Sequence, residues 1–539
     1  MSRPTAASHS RAQAFPTSGD QHAAESLTSR QTDLGAKSSD PTLLFVFLAA
    51  ELVALFIIQL PVSMTFDLFA FGDTGANFTI QHLVSLGLRP GIDFGDPYGL
   101  LPILAGRIWF SLFGATPITY EASMLACGLV VVWALAQIAA SLRFRTLGTA
   151  LLFIALGFAI QASYPNLAQI MESALIALAL SSQSRGHRAT ALAFVTAGLF
   201  CKPSMSYVYG LVLVTLIAVE LFRSRASLSD IVRVFAPAFI TGTLLIVILA
   251  TLYSPGSLIR TLIPVQGMRT YHGQHFGFFS ASGRGFWNPP KVPWFFHLID
   301  FSGFWIAGSI FLVVCGAIAW IRWNRQIAAG TVDAHRNEIL WTSAILHVTF
   351  VLVFFGNQWS WNYYSYILIL GVAAAADLSL TNRSVALILC ILGLTSWLYR
   401  GWTIDRYWRE RSTSPLTSGL WAPPVEIAEW RNARALARGH RAIVLETKGD
   451  AGLMFPEFAP PVALYLDPGL MQVPEIQRQV EQLSDASIVV VCVAKDIAEP
   501  AQGVPQVSEI ERAMNSFERI SAGKYLDVYV RRRITAAGH

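Results

Sequence analysis

Soon after its first hydrophobic run the chain carries Phe71-Gly-Asp73-Thr-Gly-Ala-Asn77 and then Leu86-Gly-Leu-Arg-Pro-Gly-Ile-Asp93-Phe-Gly-Asp96-Pro-Tyr98-Gly. Three carboxylates in a Gly- and Pro-punctuated loop between lipophilic segments are more than bilayer burial requires, and such a loop suits proton transfer at a membrane surface. Asp73 follows a glycine, whose freedom lets the next side chain aim into a cavity, and it is a candidate general base. The same aspartate also fits the cap of a helix whose apolar face runs from Phe78 through Leu88. Asp93, before Phe94, and Asp96, before Pro97, both fit turn residues, Asp96 the more so.

Basic and aromatic residues supply the complementary chemistry. Lys202 follows an apolar segment and precedes Pro203, where its ammonium can meet an anionic headgroup or snorkel to the interface. The stretch 254–294 holds Arg260, Arg269, Tyr271, His272, His275, Arg284, Trp287 and Asn288 among glycines and aromatics. Arginines there can neutralise a phosphate, and aromatic faces can pack on sugar rings or lipid tails, although interfacial anchoring gives the same composition. Asn362, in Gly356-Asn-Gln-Trp-Ser-Trp-Asn362-Tyr-Tyr, is a further candidate for sugar hydroxyls in a segment that also reads as an aromatic belt. His272 and His275 lack an adjacent acidic or cysteine ligand, and the five cysteines show no CxxC spacing, so neither a metal site nor a disulfide framework is indicated.

These groups must be positioned by membrane helices. The 539-residue chain is 53% hydrophobic and 14% charged, with mean hydropathy +0.48, the composition of a polytopic membrane protein. Its net charge of +5 is explained by basic connectors between spans, without nucleic acid. Residues 1–40, rich in Ser, Thr, Ala and Gln, read as a disordered cytoplasmic tail, and 43–62 as an uncleaved first anchor. Further spans are expected at 118–141, 147–163, 167–182, 189–201, 203–221, 232–253, 295–321, 338–355, 362–379 and 384–399, eleven in all.

Arginine clusters fall in every second connector: Arg143 and Arg145, Arg185 and Arg188, Arg223 to Arg233, Arg322 to Arg336, and Arg383. Placing them all in the cytoplasm requires 98–114 to lie in the outer interface as a non-crossing helix, and requires a break at Lys202-Pro203. The loops 65–117 and 254–294 then share the outer face. Residues 400–539 change character: 442–446, 487–493 and 525–530 read as strands, and 424–438, 474–484 and 508–520 as amphipathic helices. The expected architecture is an α-helical polytopic membrane domain over 41–399 followed by a small extracytoplasmic α/β domain. Glu51 and Glu172 lie inside spans, where they should face protein or water, with Arg107 as one available partner.

On Gly72-Asp73, on Leu86-Gly-Leu-Arg-Pro-Gly-Ile-Asp93-Phe and on the interfacial segment beginning at Tyr98-Gly99, the chain resembles the GT-C class of membrane glycosyltransferases, over roughly residues 42–400. The relatives in view are the aminoarabinose transferases and protein mannosyltransferases, whose Gly-x-x-Pro-Tyr-x-Asp-Phe stretch the second segment is similar to. The resemblance implies an inverting transferase of the cell inner membrane, taking a sugar from a polyprenyl-phosphate carrier to a glycan, lipid or protein acceptor outside the cytoplasm. It further implies Asp73 as base, Asp93 as a loop-shaping or substrate-binding residue on the acceptor side, Lys202 as a donor-phosphate ligand, and no cofactor beyond the donor itself. The chain departs from the family at Asp73-Thr74, where many relatives have Asp-Glu, and at Asp96-Pro97-Tyr98, where they have His-Pro-Pro or Lys-Pro-Pro. The basic ligand missing there is expected from Arg260, Arg269, His272 or Arg284. A transporter or lipid flippase, using Glu51, Glu172 and Arg107 as pathway groups, is the alternative function.

Overall fold

A computed structural model describes residues 40–64, 74–94, 98–142, 167–202, 205–263, 338–339, 341–343, 345–346, 424–445, 455, 457–460, 462, 473–492 and 507–532. Asp73, Asp96, Arg269, Tyr271, His272, Arg284 and Asn362 lie outside the described residues, as do the tail and the expected spans 147–163, 295–321, 362–379 and 384–399.

The membrane part is helical. Its described helices are α1 (Pro41–Ser63), α2 (Thr74–Ser85), α3 (Leu100–Phe113), α4 (Pro117–Ser141), α5 (Leu167–Ser184), α6 (Arg188–Gly198), α7 (Met205–Arg223), α8 (Leu228–Tyr253) and α9 (Pro255–Leu262). Among them α4, α7 and α8 are long and apolar enough to cross a membrane. Helix α4 starts where Thr116 and Thr119 form a reciprocal capping box ahead of Pro117, and α8 starts on the equivalent box of Ser227 and Asp230. Helix α8 buries only Leu249 and Tyr253 and leaves Phe239, Leu244, Val247 and Leu252 bare, as a helix facing lipid does. The expected break near residue 202 is present, because α6 ends at Gly198 and α7 begins at Met205.

One apolar core joins α1, α4, α5, α6 and α7 through residues such as Leu48, Leu135, Leu180, Val195 and Tyr209. At one end of this bundle Arg188 donates to Glu338 and also pairs with Glu220, while the Tyr209 hydroxyl donates to Gln183, which donates in turn to Glu338 at 2.7 Å. The first residue of α6, the last turn of α7 and Glu338 thus meet. The opposite end gathers the loop that carries the candidate chemistry.

The C-terminal part is a four-stranded mixed sheet. After α10 (Pro424–Ala437) come β1 (Ala442–Leu445), α11 (Val473–Asp485), β2 (Ile488–Cys492), α12 (Val507–Met514), β3 (Phe517–Ala522) and β4 (Leu526–Arg531), in sheet order β1-β2-β4-β3. Strands β1 and β2 are parallel, with Ala442 opposite Ile488, and the other pairs are antiparallel. Alternate strand residues face opposite layers. Ala442, Val444, Ile488 and Val490 meet Trp430 and Ala433 of α10, and Ile443, Leu445 and Val489 meet Ile476 and Leu483 of α11.

The sequence expectation of a helix over 508–520 is corrected: the helix stops at Met514 and Phe517–Ala522 forms a strand. The reason is tertiary. The free edge of β4 pairs with this segment, and Glu429 clamps the connecting turn by accepting hydrogen bonds from the backbone N–H groups of Lys524, Tyr525 and Leu526 at 2.8, 2.8 and 2.9 Å.

Candidate functional site

The helix α2 begins at Thr74, the residue after Asp73. It is short yet buried continuously from Gly75 to Gln81, including Asn77 and Thr79, and the Thr79 hydroxyl has no hydrogen-bond partner among the described residues. A polar helix this enclosed is held by its neighbours rather than by its own apolar face. Ile80, Leu83 and Val84 join Phe94, Leu100, Ile103, Phe200, Leu249, Tyr253 and Leu258 in one cluster, and this cluster is the floor on which the candidate residues stand.

The turn after α2 is a closed unit. Ile92 and Asp93 donate their N–H groups to the Arg89 carbonyl at 3.2 and 2.8 Å, and Gly91 donates to the Phe94 carbonyl at 2.8 Å, with φ +73° at Gly91. Asp93 closes it through its side chain. Its Oδ2 accepts from Arg89 N and Nε at 2.7 and 3.0 Å, and its Oδ1 accepts from Arg89 Nη2 at 3.3 Å. The hydrogen bonds from Arg89 hold the Asp93 carboxyl below its ordinary value against the opposing effect of partial burial. Phe94, fully buried, pins the turn to the floor. Asp93, a candidate substrate ligand from sequence, therefore spends both carboxylate oxygens on Arg89. The signal was available as opposite charges four residues apart.

Lys202 reaches the same loop by a backbone seam. Gly99 N donates to the Cys201 carbonyl at 2.7 Å and Leu101 N to the Phe200 carbonyl at 3.0 Å. Two N–H groups at the start of α3, which have no partner within their own helix, are thereby satisfied by carbonyls just past the end of α6. A side chain at position 99 would run into the Phe200 and Cys201 carbonyls, so the approach requires glycine. The seam sets the Lys202 ammonium 5.7 Å from the centre of the Tyr98 ring, within range of a cation–π attraction.

Beyond the break, α7 is capped by a residue of another helix. Glu172, fully buried on α5, accepts from Ser206 N at 2.9 Å and from Ser206 Oγ at 2.8 Å. A carboxylate at a helix N-terminus satisfies orphan donors and meets the positive end of the dipole. Glu172 thus has a structural assignment that its sequence position did not disclose.

Arg260 arrives from a third direction. Helix α8 ends at Ser254, whose φ of +101° is strained for a residue with a Cβ and whose hydroxyl accepts from Ser257 N at 3.2 Å, turning the chain into α9. Helix α9 lies on the turn, with Ser257 Cα 3.8 Å from where a Cβ on Gly91 would sit. Arg260 Nη1 donates to the Gly91 carbonyl at 2.5 Å, and Tyr207 of α7 donates to the Leu262 carbonyl at 2.8 Å. Asp93, Lys202 and Arg260, separated by up to 167 positions in the chain (260 − 93), are thus brought to one loop directly downstream of Asp73. The arrangement offers two cations beside an acidic loop at the end of an apolar bundle.

No protein-family model and no curated protein sequence matches the chain. A solved structure, that of ArnT from Cupriavidus metallidurans bound to undecaprenyl phosphate, aligns with 93% of this chain and 100% of that chain at 13% identity and a TM-score of 0.37.

Two outcomes follow for the turn and the seam. Acidification should loosen the turn. A carboxyl with a lowered folded value contributes stability that is present above its ordinary value of 3.8 and is lost as pH falls below that through the folded value. Hydrogen-exchange protection at Ile92 and Asp93, corrected for intrinsic rates, is expected to hold from neutral pH to about 4 and then to fall. Gly99→Ala is expected to separate α3 from the end of α6, with destabilisation of about 1–3 kcal/mol and loss of protection at Leu101, measured by thermal unfolding and hydrogen exchange in nanodiscs.

Proposed function

We propose that the chain is a membrane glycosyltransferase that moves a sugar from a polyprenyl-phosphate carrier to a hydroxyl of an envelope glycan, lipid or protein on the outer face of the inner membrane. The observation that carries this reading is the convergence of Lys202 and Arg260 on the loop that follows Asp73. A lipid monophosphate departing from a sugar develops negative charge at the membrane surface. Two cations held at the loop, Lys202 beside Tyr98 and Arg260 on Gly91, stabilise that charge without reorganising. The bare apolar helix α8 beside α9 gives a polyprenyl chain a lipid-exposed approach to the same end of the bundle.

In this mechanism Asp73 accepts the proton of the acceptor hydroxyl, the oxygen forms a bond to the anomeric carbon, and the bond from that carbon to the phosphate oxygen breaks with its electron pair. Attack opposite the leaving group inverts the configuration. The released polyprenyl phosphate keeps the charge that Lys202 and Arg260 neutralise, so no divalent metal is obligatory. Arg89, Asp93 and Gly91 shape the turn against which Arg260 is fixed, which makes Asp93 a positioning group. Arg269, Tyr271, His272, Arg284 and Asn362 complete the proposed donor and acceptor contacts from sequence alone. The buried cap that Glu172 makes on α7 accounts for that carboxylate without a transport pathway.

The reading is tested with full-length protein in nanodiscs supplied with a labelled polyprenyl-phosphate sugar and candidate acceptors. Asp73→Asn is expected to lower kcat by roughly 10²- to 10⁴-fold while donor binding changes by less than about twofold. Full transfer by a folded Asp73→Asn variant would remove the base, and movement of the lipid across the bilayer without transfer would replace the enzyme by a flippase.

A further inference from the structure

Glu172 takes no part in the proposed chemistry, yet it stands on α5 with no exposed surface. Burying a carboxylate is costly unless hydrogen bonds and opposite charge offset it. Ser206 supplies two hydrogen bonds, from N at 2.9 Å and from Oγ at 2.8 Å, and the start of α7 supplies the positive end of a helix dipole. Ser206 is itself fully buried, so water does not compete for the carboxylate there.

The same point is where α6 ends. A Cβ on Gly198 would run into Ser206 Oγ and would lie 3.8 Å from Glu172 Cγ, so the last residue of α6, the second residue of α7 and the acid of α5 are packed together. Eight residue steps separate the two ends of this loop (206 − 198), enough to span about 27 Å if extended. Instead the chain leaves and returns at one place, with Lys202 midway along it. Cys201 N and Lys202 N donate to the Gly198 carbonyl at 3.0 and 3.4 Å. A continuous set of contacts therefore runs from the Glu172 carboxylate to the Ser206 hydroxyl, from there to Gly198, and from the Gly198 carbonyl to the Lys202 amide. The N–H groups of Gly99 and Leu101 hold this loop from α3, and Glu172 holds its base from α5.

We propose that Glu172 is a positioning residue that, with Ser206 and Gly198, closes the base of the loop between α6 and α7 and so fixes Lys202 for the phosphate of the substrate. The effect on substrate rests on the transferase reading, whereas the closure of the loop does not. An acid that only stabilised the bundle would alter lipid binding whatever residue stood at position 202. One that acts through Lys202 does so only while the lysine is there, which makes the two residues energetically coupled.

The test uses the full chain in nanodiscs, with polyprenyl phosphate as the probe and two readouts, affinity and amide exchange. Glu172→Ala is expected to weaken binding about fivefold in the parent and by less than about twofold when Lys202→Met is already present. Glu172→Gln keeps an acceptor for Ser206 and is expected to bind within about twofold of the parent. Exchange at the Cys201 and Lys202 amides is expected to rise about fivefold in Glu172→Ala, while Leu135 of α4 exchanges as in the parent. Ser206→Ala removes one of the two hydrogen bonds and carries the test should Glu172→Ala not fold; it is expected to weaken binding about threefold, again only with Lys202 in place. Equal losses of affinity with and without Lys202, unchanged exchange at 201 and 202, or failure of the glutamine to restore binding overturns the proposal. Loop exchange that rises as expected in a protein that binds no polyprenyl phosphate upholds the closure and rejects the transferase reading alone.

Discussion

Everything at the candidate site depends on a backbone-to-backbone approach that only glycine permits. The N–H groups of Gly99 and Leu101 reach the Cys201 and Phe200 carbonyls, and the space between the strands of chain admits no Cβ. Four needs are met at one place: α3 satisfies part of its N-terminus, α6 finds partners for carbonyls at its end, Lys202 is delivered to Tyr98, and α7 starts where Glu172 can cap it. Buried backbone groups at the ends of three helices would otherwise lack partners in a medium with little water. Packing of Phe94, Ile103, Phe200 and Leu258 then makes the seam rigid enough to carry charge.

Electrostatics and geometry divide the work among the ionisable groups. Asp93 and Arg89 neutralise each other and shape a turn. Glu172 serves a helix terminus, and the Arg188 cluster with Glu220 and Glu338 ties the far end of the bundle. Lys202 sits beside Tyr98 just past the end of α6, and Arg260 of α9 sits on the Gly91 carbonyl of the same loop. The two candidate cations are thus at one end of the bundle, while charge at the other end holds helices together.

Local signals in the sequence carried the elements, and contacts distant in the chain carried the site. Apolar runs with Arg-bearing connectors disclosed α1, α4, α5, α7 and α8, and Lys202-Pro203 disclosed the break after α6, because length, hydropathy and proline act locally. Phe517–Ala522 was misread as helix because only its pairing with β4 and the Glu429 clamp make it a strand. The pairing of Asp93 with Arg89 was legible from an i, i+4 spacing. The glycine requirement at 99, the cap of α7 by Glu172 and the bond from Arg260 to Gly91 were not, since each joins residues that only the folded bundle makes neighbours.

Under the proposed function Lys202 and Arg260, both held at the loop after Asp73, bind the phosphate of a lipid carrier. Titration of polyprenyl phosphate into nanodisc-embedded protein, followed by native mass spectrometry, tests it directly. The parent should bind one lipid saturably, and the Lys202→Met, Arg260→Met double variant, folded by its thermal midpoint, should bind at least about tenfold more weakly. Equal affinity in the two proteins would contradict the account.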